Sequence, residues 1–102
     1  LPTTALVYGN PRIQVIAGSA ATTLALGTKA IAASTFTLTA SSVIIPIVTA
    51  LNSSTAIGAA YVTSGITTGI AGTAAFTITA KKGADATTET GDLSTLAFLI
   101  IN

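Results

Sequence analysis

The chain has 102 residues, half of them hydrophobic and only 7% charged, with a formal net charge of +1. One domain of that length buries a modest core, and four cationic side chains are too few for the phosphate contacts that nucleic-acid binding needs. Without His or Cys, zinc lacks its usual ligands and disulfides cannot supply stability.

The first residues, Leu1 with Thr4, Ala5, Leu6, Val7 and Tyr8, read as an N-terminal strand punctuated by Gly9, Asn10 and Pro11. Residues 1–11 are expected to form an extension and candidate donor strand, and residues 12–102 a β-sandwich domain. A chain that starts at Leu1 and contains no Met reads as a processed form whose signal peptide has gone.

Ile13, Gln14, Val15 and Ile16 make a second expected strand, stopped at Gly18, and residues 22–26 a third, stopped at Gly27. An Ala-rich helix over residues 20–33 is the rival reading, but Thr22, Thr23, Gly27, Thr28 and Ile31 weaken it. Residues 35–39 alternate, with Phe36 and Leu38 on one face and threonines on the other, as a half-buried strand does. The same pattern returns forty residues later, with Phe76 and Ile78 opposite Thr77 and Thr79. That repeat suggests duplication or two equivalent positions in a sandwich.

Residues 43–49 form another strand region. Pro46 has no amide to donate, so an edge or a break is expected there. Residues 56–63 read as a strand through Tyr61 and Val62, and residues 66–72 as a weaker one. Between Lys81 and Asp92 lie five of the seven charges, which reads as a solvated loop. Residues 95–101 are apolar nearly throughout and read as a central or intersubunit strand. The fold class expected is all-β: a small β-sandwich or jelly-roll-like domain of about seven or eight short strands, completed in one version by a strand from a neighbouring subunit.

No catalytic residue is expected, and the chain reads as a non-enzyme. The carboxylates Asp85, Glu89 and Asp92 share one polar loop without His, and their spacing is not that of an EF-hand. No cofactor or metal site is expected. Asn52 with Ser53 and Ser54 fits the N-glycosylation pattern, which also fits a turn. No run approaches the roughly 20 apolar residues of a spanning helix.

A surface of Thr, Ala, Ser and Gly with little charge suits dense self-association. The leading expectation is a structural subunit of an extracellular filament, pilus or sheath on the cell surface. It would be a homopolymer joined through apolar strand edges or strand donation. The donor would be Leu1, Ala5, Leu6, Val7 and Tyr8, with residues 96–101 as the alternative. A small virion capsid or decoration protein with capsid neighbours, and a secreted adhesin or carbohydrate-binding module, are the competing expectations.

Overall fold

The computed structural model describes residues 12–32, 36–51 and 57–102. Among them six strands run as β1 (Ile13–Ile16), β2 (Thr28–Ala32), β3 (Val43–Ala50), β4 (Ala60–Thr67), β5 (Ala75–Lys81) and β6 (Thr95–Ile101). They form two three-stranded antiparallel sheets, ordered β1-β6-β3 and β2-β5-β4. Both are open, and their inner faces meet as in a small β-sandwich.

The core follows from strict alternation in the two central strands. In β6, Leu96, Phe98 and Ile100 point inward, and in β5 Phe76, Ile78 and Ala80 do the same; all six are fully buried. Phe76 is the hub. Its ring meets Phe98 edge-on at 5.0 Å and Phe36 at 5.7 Å between centroids, the arrangement that opposes positive ring edge to negative face.

The repeated motif therefore meets itself in the core, but its two halves are not equivalent. Residues 75–81 make a central strand. Phe36, Thr37 and Leu38 are buried yet form no strand, and Leu38 makes only an isolated bridge to Gly69. Thr37 is held by one side chain: Gln14 Nε2 donates to the Thr37 carbonyl and Gln14 Oε1 accepts from its N–H, both at 2.8 Å. The Gln14 amide replaces a neighbouring strand here, satisfying a buried backbone that would otherwise be orphaned.

The strand expected at residues 22–26 is also corrected. Ser19 caps a single 3-10 turn, Ala20–Thr22, with a reciprocal hydroxyl and N–H exchange between Ser19 and Thr22. Thr23 and Ala25 then make isolated bridges only. Leu26 and Gly27 both have positive φ, 53° and 77°, in a tight turn that returns Thr28 N–H to the Ala25 carbonyl. A Cβ on Gly27 would fall 2.2 Å from the Glu89 carbonyl oxygen, so only glycine fits. The turn starts β2, a strand in which Ile31 is the one buried residue.

Pro46 lies in β3, an edge strand, opposite Phe98, as expected for a residue without an N–H. Of residues 66–72, Ile66 and Thr67 end β4, Gly69 makes an isolated bridge to Leu38, and residues 70–72 are bend and turn.

Candidate assembly surface

The outward residues of the β1-β6-β3 sheet are apolar rank after rank. Ile13, Ile101 and Val43 are in register across the three strands, followed by Val15, Leu99 and Ile45, and then Ala97 beside Ile47. Ile13 and Val15 are 65% and 70% exposed, and Val43, Ile45, Ile47 and Ile101 are exposed as well. Apart from Gln14 the inner face is also apolar, so β3 and β6 are near-continuous hydrophobic runs. That pattern belongs to sheets covered on both faces.

The outer face of the β2-β5-β4 sheet differs. Thr28, Thr79 and Val62 are in register, then Ala30, Thr77 and Ser64, then Ala32, Ala75 and Thr67. The Thr28 and Thr79 hydroxyls lie 3.3 Å apart. This face is smaller and richer in hydroxyls, with Val62 as the large apolar side chain exposed in these ranks.

Among the described residues, each sheet leaves its two outer strands with a free side. A proline fits an antiparallel ladder only with its nitrogen toward the free side, so the free edge of β3 lacks a donor at Pro46. The β4 edge is broken by a register shift between Ser64 and Thr67, where Gly65 has a φ of 57°. Bulges of this kind twist an edge away from flat pairing.

The carboxylates do not form the single solvated group expected. Asp85 is exposed and accepts from the Thr87 hydroxyl at 2.7 Å and the Thr87 N–H at 3.1 Å, which lower its pKa. Asp92 is fully buried. Its Oδ2 accepts from Gly58 N–H at 2.8 Å and the Tyr61 hydroxyl at 2.7 Å, and its Oδ1 from Ser94 N–H at 2.9 Å. Its own carbonyl accepts from Gly27 N–H.

One side chain thus ties the approaches to β4 and β6, while its backbone reaches the turn before β2. Burial pushes the Asp92 carboxyl up, but the Ser94 hydroxyl, Gly58 N–H, Tyr61 hydroxyl and Ser94 N–H outweigh it and hold the group below the usual range. For Tyr61, burial first and then the bond to and charge of Asp92 push the phenol up. A carboxylate so engaged is a structural pin. The Asp92-to-Ser94 spacing, a side-chain oxygen bonded to the N–H two residues on, is the one sequence signal that marks it as a turn-former.

Among the described residues no three His, Cys, Asp or Glu side chains sit close enough to hold a metal ion, and no helix is long and apolar enough to cross a membrane. Asn52 and the donor residues Leu1, Ala5, Leu6, Val7 and Tyr8 lie outside the described residues. No protein-family model matches the chain, and no curated protein or solved structure is significantly similar to it.

Proposed function

We propose that the chain is a structural subunit of an extracellular filament, pilus or sheath, whose copies join through apolar strand edges or by donation of residues 1–8 as a strand. The observation that carries this reading is the pair of open, three-stranded sheets with four outer strands, built from a sequence with only seven charged residues. An open edge presents unpaired backbone donors and acceptors, and monomeric proteins usually guard it with charge. The strands β1 and β3 contain none. Residues 1–11 lead directly into β1, at the edge of the sheet that is apolar on both faces. Added strands gain backbone hydrogen bonds and apolar burial without charge networks.

Negative-stain imaging of the native, undenatured full chain tests the reading. Long uniform filaments are expected, and Leu6→Pro, which removes a backbone donor from the donated strand, is expected to abolish or shorten them. Monodisperse monomers would sink the proposal in favour of a binding module, and closed shells would move it to a virion role.

A further inference from the structure

We propose that the outer face of the β1-β6-β3 sheet is an interface with a second copy of this chain, the two identical faces packing sheet against sheet about a two-fold axis. The inference deepens the self-assembly reading by naming a contact that edge pairing does not use.

Ile13, Val15, Val43, Ile45, Ile47 and Ile101 are exposed side by side in register on three neighbouring strands. With strands about 4.8 Å apart and a rise of about 3.3 Å per residue, the grid covers about 14 by 20 Å, or roughly 300 Å² of flat footprint. Isolated exposed hydrophobics need no explanation; a contiguous field of roughly 300 Å² matches the largest patches that single chains expose, which are often functional.

The longest run of this chain outside the described residues, residues 1–11, is at most about 39 Å of extended chain and one strand wide. A single strand laid across a three-stranded face leaves most of it wet. A second three-stranded face covers all of it at the ordinary sheet-packing distance. The grid has no charged or polar side chain, so an identical copy meets it without stranding a charge. Such an isologous contact closes after two copies.

A standard interface buries about 800 Å² on each partner, with an apolar core and a more polar rim. The grid serves as the core, and the exposed Arg12, Ala17, Thr49, Ala50 and Leu51 beside it serve as rim. Lipid fits less well. Arg12 is the one cation bordering the grid in sequence, whereas surface-bound proteins add several basic residues to their apolar face. Pairing at the edges of the same sheet uses backbone groups and leaves its outer face uncovered.

Sedimentation of the full chain over a wide concentration range tests the pairing, with Ile45→Lys and Val15→Lys as separate variants and Leu6→Pro as the control for strand donation. Both lysines enter at exposed positions, and circular dichroism checks that strand content survives. The expected result is a two-copy unit, alone or as the repeat of larger species. Each lysine should halve that unit, while Leu6→Pro should leave it intact even where filaments vanish.

Wild-type mass retained in both folded lysine variants would overturn the interface. So would a wild-type monomer at the highest concentration. If Leu6→Pro alone abolishes association, the donor-strand reading stands and this one falls. Flotation of the wild type, but not the lysine variants, with phosphatidylcholine vesicles would assign the face to lipid instead.

Discussion

At the centre of one outer face stands Leu99, flanked in register by Val15 and Ile45; at the centre of the other stands Thr77, flanked by Ala30 and Ser64. Both central residues are half-buried members of central strands whose alternate residues fill the same core. The backbone setting is the same and the side chains differ, so folding alone does not account for the apolar field around Leu99. Either choice lets the strand pair and fill the core. The proposed partner on the outside would distinguish them, because exposed apolar area costs about 25 cal/mol for each Å² left in water.

If the two sheets are equivalent inside and different outside, their inner faces should fail alike. Phe76→Ala and Phe98→Ala each remove a fully buried ring from one side of the same edge-on contact. Each should cost about 3–5 kcal/mol, the largest effect expected here, read by urea unfolding at a dilution where copies are apart. A cost confined to one of the pair would mean that one sheet carries the core and the other merely covers it.

Next in size is the pin that the two sheets share. Asp92→Asn keeps the shape but turns an NH₂ toward donors, and should cost about 1–3 kcal/mol. Its signature is in the pH dependence. The folded carboxyl titrates below its ordinary value of about 3.9, so the unfolded chain binds more protons in that window. Asp92 therefore stabilises the fold fully above about pH 4 and loses that contribution as pH falls through the folded value. Tyr61 works in the other direction. Its raised pKa stabilises fully below the ordinary phenol value of about 10 and is lost as pH rises through the folded value. Wild-type stability should fall at both ends, and Asp92→Asn should flatten the acid limb. An acid limb unchanged in the variant would remove Asp92 as its source.

The inner face of β5 was legible in the sequence, because alternation in residues 75–81 reports which side chains are buried; residues 95–101, apolar nearly throughout, report a central strand but not which face is inside. Alternation does not report what pairs with the backbone. Phe36 and Leu38 are as deeply buried as expected, but their segment finds its partners in the Gln14 amide and Gly69 rather than in a ladder. Residues 28–32 hide the reverse case. Only Ile31 is buried in β2, so a real strand of small residues and one lysine carries almost no hydrophobic signal. Pro46 was informative because its missing donor is a property of the residue itself. Asp92 was not, since its burial depends on Gly58 and Tyr61, more than thirty residues away. The open outer face of β1-β6-β3 was half visible: the runs of apolar residues in β3 and β6 were evident, but not that their outward ranks align with β1.

The smallest effects bear most directly on the two outer faces. Leu99→Thr places the chemistry of one face on the other at a matching central position, and Thr77→Val does the converse with little change in shape. Neither should alter the stability of the separated chain by more than about 1 kcal/mol, because each position is half-exposed. Their effects on association should diverge. Leu99→Thr removes apolar area from both members of an isologous pair and should raise the dissociation constant about tenfold or more, equivalent to about 1.4 kcal/mol. Thr77→Val should leave it unchanged, since the hydroxyl-rich face is not the contact. Sedimentation of the two variants beside the wild type separates the alternatives. Were association driven by low net charge alone, neither exchange would matter, because both leave the charge untouched. Divergence in the stated direction ties association to the ranks around Leu99.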